Sequence, residues 1–178
     1  MQDLETLRYP IGQFDYGKTV EPDETRQALE AIAALPHKLT ALVGKWGDDQ
    51  LDTPYRPEGW TARQLVHHVA DSHINAYVRT KLMLTEDNPT IKPYEEGEWA
   101  KLPDSTLDVA TSLVILSNLH ARWVTILASL TNEQLRRTYY HPGMQKTFLV
   151  SEVMNLYAWH GEHHYQHVYR LAERSGWL

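Results

Sequence analysis

Ten histidines and no cysteine in 178 residues leave imidazole as the transition-metal ligand this chain can offer in quantity. A cysteine nucleophile, a disulfide and a thiolate-ligated metal are all excluded by the same count. The densest run is Trp159-His160-Gly161-Glu162-His163-His164-Tyr165-Gln166-His167. Read as a helix, it continues a stripe of Val153, Tyr157, His160, His164, His167 and Leu171 at spacings of three and four. His160 and His164, four apart, stack on one face and in phase with apolar residues, where two neutral imidazoles need partners and one metal ion satisfies both. His163 and His167 are also four apart, but this pair sits about a third of a turn round and is expected to point inward less fully.

A third imidazole should come from another helix. The run Val66-His67-His68-Val69-Ala70-Asp71-Ser72-His73 offers three. His68 falls on the stripe Leu65, His68, Val69, Ser72, Ala76, whereas His67 shares a face with Arg63, Gln64, Asp71 and Ile74, so His68 is the better inward candidate. His73 and His120 read as ordinary structural histidines, with support of a metal ligand from behind as the alternative reading. The zinc-protease pattern H-E-x-x-H fails here, because Glu162 follows His160 by two residues and, at ~100° per residue, points to nearly the opposite side. It is expected at the surface or bonded to another helix. Asp71, Asn75, Arg79 and Arg122 are the polar residues placed to meet a substrate. Trp123, Trp159 and Tyr157 read as core, with Tyr157 one turn before His160 and able to line a pocket.

The elements that must position these groups are helical. Residues 1–21 read as an irregular, extended arm. A first helix opens at Pro22-Asp23-Glu24 and keeps the phase of Leu29, Ile32, Pro36, Leu39, Val43 and Trp46 across Pro36, so one kinked helix is expected. After a loop over 48–59, Thr61-Ala62-Arg63-Gln64 forms a capping box for a second helix over 62–84. Residues 85–106 hold Pro89, Pro93, Gly97 and Pro103 and read as a long crossover, more chain than adjacent antiparallel helices need. A third helix is expected over 107–130. A second capping box at Thr131-Gln134 and a loop at His141-Pro142-Gly143 precede a last helix, from about 147–151 to 173. Strand-like alternation is scarce. The reading is one all-α domain spanning 1–178, a four-helix bundle with its crossover between the second and third helices.

Bulk properties narrow the partners. A net charge of −6 and a pI of about 5.9, with no basic run, argue against nucleic acid and anionic membranes. No apolar stretch approaches the ~18–20 residues of a bilayer span, and the start Met1-Gln2-Asp3-Leu4-Glu5 lacks a signal-peptide pattern, so a cytoplasmic protein is expected.

Several stretches carry a family resemblance: Tyr9-Pro10-Ile11-Gly12, Leu51 to Arg56, Gly59-Trp60-Thr61 through His73, Leu84-Thr85-Glu86, Pro89 to Tyr94, Leu119 to Trp123, and Tyr157 to His164. Together they resemble the DinB superfamily, and its YfiT-like branch most closely. The resemblance implies a four-helix bundle of unusual crossover order, dimeric as a rule, in which three histidines hold one zinc or nickel ion. The positions matching that pattern are His68, eight residues after Trp60, with His160 and His164. It also implies a metal-dependent hydrolase acting on a small molecule, with no other cofactor. Related bundles are transferases or isomerases that use thiols such as bacillithiol or mycothiol. Three neutral imidazoles leave a divalent ion an open position. Water there reaches a pKa of ~7 on zinc, and a thiol there is deprotonated likewise. A non-catalytic metal- or ligand-binding bundle is the remaining alternative.

Overall fold

The computed structural model describes residues 3–178. In chain order the elements are α1 (Leu4–Arg8), α2 (Pro22–Val43), α3 (Asp48–Leu51), α4 (Ala62–Thr85), α5 (Glu96–Trp99), a 3-10 turn (Pro103–Thr106), α6 (Ala110–Ala128), a 3-10 turn (Gln134–Arg136), β1 (Thr138–His141), β2 (Lys146–Leu149) and α7 (Val150–Ser175). The four long helices α2, α4, α6 and α7 form the bundle. No helix among the described residues is long and apolar enough to cross a membrane.

Topology explains the long connection. α2 packs on α6 and α7, and α4 packs on the same two helices, so α2 faces α4 across the bundle. One apolar layer joins Leu39 and Val43 near the end of α2 to Leu65 and Val69 early in α4, Leu113 early in α6 and Leu171 late in α7. The other joins Ile32 on α2, Tyr77 and Met83 on α4, Trp123 and Leu127 on α6, and Val153 and Met154 on α7. The neighbours α4 and α6 therefore run parallel. Chain leaving the end of α4 must return the length of a 24-residue helix, roughly 36 Å, before α6 can begin. Residues 86–109 make that journey. The non-sequential crossing inferred from this segment is real, and its cause is a parallel pair.

Local chemistry marks the helix ends. At α4 the Gln64 backbone N–H donates to Thr61 Oγ1 (3.1 Å) and the Thr61 N–H donates to Gln64 Oε1 (3.0 Å), completing the expected box. The same reciprocal bonds form between Thr131 and Gln134, and the short helical turn expected there is a 3-10 turn. α7 stops at Gly176, whose φ of +70° suits glycine. α2 runs unbroken through Pro36, and it closes tightly on α7. A Cβ built at Gly161 would lie 2.6 Å from Leu35 Cδ2, so the Leu35 side chain of α2 packs directly on this glycine. Glu162, beside it, reaches Lys38 Nζ on α2 at 2.5 Å, the interhelical bond that its position suggested.

Two expectations need correction. The arm is not wholly irregular, because Leu4–Arg8 is helical; five residues with none buried carry no periodicity to betray them. Met1 and Gln2 lie outside the described residues. The His141-Pro142-Gly143 loop is the start of a β-turn in a hairpin, with Tyr139 opposite Phe148 and His141 opposite Lys146. Its four-residue strands are too short to show alternation against a helical background, and α7 begins at Val150, inside the expected range of 147–151. The crossover docks on this hairpin through Ile91 N–H to Tyr140 O (3.0 Å) and Tyr140 N–H to Pro89 O (2.9 Å).

Candidate metal centre

Between the two apolar layers the bundle carries a belt of histidines. His68 and Ser72 come from α4, and His160 and His164 from α7. One ring nitrogen from each of His68, His160 and His164 lies within 4.8 Å of those of the other two. The ring pairs fall 4.5–5.4 Å apart between centroids. Burial pushes the His68 imidazolium down to about 4, and burial with the neighbouring histidines pushes His160 and His164 well below the ordinary histidine range. All three are thus neutral near pH 7, the state in which imidazole donates a lone pair to a metal.

The orientation of His160 follows from a chain of hydrogen bonds that begins at a proline. Pro36 has no N–H, so the Ile32 carbonyl one turn earlier loses its helical partner. That carbonyl accepts from His120 Nδ1 at 2.7 Å. A carbonyl cannot donate, so His120 carries its proton on Nδ1 and, being neutral, presents a lone pair at Nε2. His73 Nδ1 therefore donates to His120 Nε2 (2.9 Å), leaving His73 Nε2 to accept from His160 Nδ1 (3.4 Å). The proton of His160 is fixed on Nδ1, and its Nε2 lone pair faces the trio. Ser72 Oγ is its nearest protein partner there, at 3.5 Å. His73 is fully buried and His120 nearly so, and burial lowers both their pKa values, which keeps the relay neutral. Two residues that read as ordinary core histidines thus orient His160. Fixing the tautomer of a metal-ligating histidine is worth 10–100-fold in affinity in other proteins. Accordingly, His120→Leu should weaken zinc affinity by about tenfold or more while removing no ring from the trio. Competition with a chromogenic chelator measures it, and an unaltered affinity would show that the relay is only packing.

The donor set fits a metal. Neither ring nitrogen of His68 has a hydrogen-bond partner among the described residues, and His164 Nδ1 is buried without one. A second trio, His163, His164 and His167, also brings its nitrogens within 4.8 Å. His163 and His167 are as buried as His164, so the expectation that this pair points inward less fully is corrected. What covers them is the N-terminal arm: His167 Nε2 donates to Arg8 O (3.1 Å), Tyr9 lies 6.2 Å from His163, and Arg170 donates to Pro10 O (2.9 Å). No periodicity within α7 could reveal a cover supplied from 150 residues away. His67 is buried too, not turned to solvent. Its Nε2 donates to Leu107 O (3.0 Å) and its Nδ1 accepts from Ser112 (2.7 Å), so it fastens α4 to α6.

Both trios open on a cavity of about 600 Å³. Trp60, Ser72, Arg79 and Tyr157 line it, as do Tyr94 from the crossover, His141 from the hairpin and Tyr9 from the arm. Trp159, read as core, also reaches it, stacking on His163 at 4.5 Å. Of the four polar residues singled out for substrate contact, only Arg79 is on this wall. Asn75 faces a separate groove and bonds to Asp71 O (2.9 Å), Asp71 lies outside the cavity, and Arg122 is exposed over Tyr77.

Comparison with known proteins agrees with this architecture. The family model of the DinB superfamily matches residues 31–168. A protein of Bacillus cereus strain G9842, named as a candidate metal-dependent hydrolase, is 51% identical over 174 residues, spanning 98% of this chain and 100% of its own. A Bacillus anthracis protein of strain A0248 carries the same description, identity and coverage. Among solved structures, YfiT from Bacillus subtilis, described as a probable metal-dependent hydrolase with an unusual four-helix bundle topology, matches with a TM-score of 0.93. It is 42% identical over 97% of this chain and 99% of YfiT. Sequence motifs, bundle order and overall shape therefore lead to one conclusion: the chain belongs to the DinB superfamily, in its YfiT-like branch.

Proposed function

We propose that the protein is a metal-dependent hydrolase of a small molecule, in which His68, His160 and His164 hold one divalent ion, zinc or nickel. The observation that carries this reading is the convergence of three neutral imidazoles from two helices at the wall of an open cavity. The names of the relatives support the reaction class. His68, His160 and His164 are preferred over the trio with His163 and His167 for two reasons. They join two helices, and they leave Nε2 of His167 to its bond with Arg8 O. When bound, such an ion supplies Lewis acidity, acidifying a coordinated water or thiol and polarising an acceptor group. The chain's own residues bind and orient: the relay fixes His160, Trp60 packs 4.7 Å from His68, and the N-terminal arm shields the far side of α7 from water. The adjoining cavity speaks against a closed, non-catalytic site. The exposed apolar side chains Ile74 and Val78 on α4 and Val114 and Ile115 on α6 support a homodimer, and a cytoplasmic location remains the expectation.

One observation favours a second reading, transfer of a thiol such as bacillithiol to an electrophile. A hydrolase of this kind ordinarily has a carboxylate beside the reacting water, yet the carboxylates lining the cavity, Glu58 and Glu96, are exposed, and Glu162 is tied to Lys38. Zinc-loaded protein should be given an activated ester without thiol, and separately bacillithiol with a chlorinated aromatic acceptor. Metal-dependent ester cleavage without thiol is the expected result. Turnover only where thiol and metal are both present would overturn the hydrolase reading in favour of the transferase.

A further inference from the structure

We propose that the ligand of this cavity carries an anionic oxygen group, a carboxylate or a phosphate, and that Arg79 receives it. Arg79 is a buried cation, 9% exposed, and no carboxylate lies within ion-pairing distance of it among the described residues. One of its terminal nitrogens donates to Lys92 O (3.1 Å) and the Tyr157 hydroxyl is a hydrogen-bonding neighbour, and both of these partners are neutral. A buried guanidinium without a counter-ion is costly, and its planar fork matches a carboxylate or phosphate in two-point contact. The nearest ionisable groups do not neutralise it. Its charge acts on Tyr94, Tyr139, Tyr157 and His141, but burial holds Tyr94 up to about 12 and raises Tyr157 as well, so these phenols stay protonated. Tyr94 and Tyr157 line the cavity as neutral O–H groups able to donate to the same anion.

Position relates this group to the histidines. His68, Ser72 and Arg79 follow one another down one wall of the cavity on α4. Ser72 is level with His160, and Arg79 lies seven residues on, roughly 10 Å along the axis, with a side chain that leans back toward the helix start. The guanidinium is therefore within roughly 10 Å of the trio. A small molecule could place its anionic end on Arg79 and its reacting end at the histidines. The wider field agrees. Arg8, Arg56 and Arg79 line the cavity against Glu58 and Glu96, a formal balance of +1 with the histidines neutral, in a chain of net charge −6. Low-dielectric walls focus such a field onto entering anions.

The inference rests on the cavity being the active site, as in the proposed function, but not on the identity of the metal. Trp60 and Trp159 line the cavity and supply a fluorescence signal. Zinc-loaded protein is titrated with succinate, with inorganic phosphate, and with succinamide as the uncharged control. The expected result is a saturable change with at least one anion and none with the diamide. Binding should be at least tenfold weaker in Arg79→Gln and intermediate in Arg79→Lys, at unchanged zinc content. Whichever anion binds tighter identifies the group. An affinity equal to wild type in both variants, equal binding of succinamide, or no response to either anion would overturn the proposal. Should Arg79→Gln not fold, Arg79→Lys alone decides it, because an ammonium lacks the fork and must bind more weakly. Repeating the titration on His164→Ala separates the two readings. Anion binding that survives there but still depends on Arg79 upholds this site without the metal, whereas binding that follows zinc and ignores Arg79 sinks it.

Discussion

Replacing His164 with alanine is expected to cost the protein its metal. Structural zinc sites with four ligands have apparent binding free energies of ~10–16 kcal/mol, so one ligand of three accounts for roughly 3–4 kcal/mol, a loss of about 100- to 1,000-fold in affinity. His68→Ala and His160→Ala should do the same, because each removes a nitrogen from a set whose members all lie within 4.8 Å. Helicity should survive, since the apolar layers on either side of the belt do not include these rings. His163→Ala and His167→Ala are the informative contrasts. If the two-helix trio holds the ion, both retain it; if the α7 trio does, both lose it. Metal content after dialysis, read beside the circular dichroism spectrum, measures all five. Full occupancy in the first three variants would reject the assignment outright.

Acid should unfold the metal-free protein while most carboxylates are still ionised. Burial holds His68 at about 4 and His167 at about 3 in the folded state, and His73, His160 and His164 well below the ordinary value of 6.5. The folded pKa values lie below the unfolded ones, so between them the unfolded chain binds protons that the folded chain refuses. Stability is then complete above about pH 6.5 and declines as pH falls toward about 4. At about pH 5, His68 alone accounts for ~2 kcal/mol, from a gap of about 1.5 pH units below its unfolded pKa. The other buried histidines add in the same direction. Bound metal should oppose the loss, because it competes with protons for the same lone pairs. Urea midpoints of the apoprotein at pH 7.5 and pH 5 test this. A midpoint that does not move would mean that these rings are protonated, or hydrated, in the native state.

A large part of the fold was legible in local pattern. The four long helices were visible from apolar spacing, the start of α4 from Thr61 and Gln64, and the continuity of α2 from a stripe that keeps its phase across Pro36. The hairpin was not, since four-residue strands are decided by pairing with a partner rather than by their own alternation. The length of the crossover signalled an unusual topology, but that α4 and α6 are parallel neighbours depends on contacts between distant residues, such as Thr80 with Trp123, 43 positions apart, and His73 with His120, 47 apart.

For the site, the sequence by itself determined which chemistry was possible. It offered imidazole without thiolate, placed His160 and His164 four residues apart on an inward stripe, and put His68, of two adjacent histidines on another helix, on the less charged face. Helical periodicity reports the face a residue occupies on its own helix, and nothing more. Which rings meet across the bundle was decided only in three dimensions, by the packing of α4 on α7, and the burial of His163 and His167 by an arm that covers them. The same holds for a proline that frees the Ile32 carbonyl for His120, and for an arginine buried without a counter-ion. Each of these depends on what a distant segment brings to the spot, and burial and hydrogen-bond partnership are properties of the packed chain rather than of any window along it.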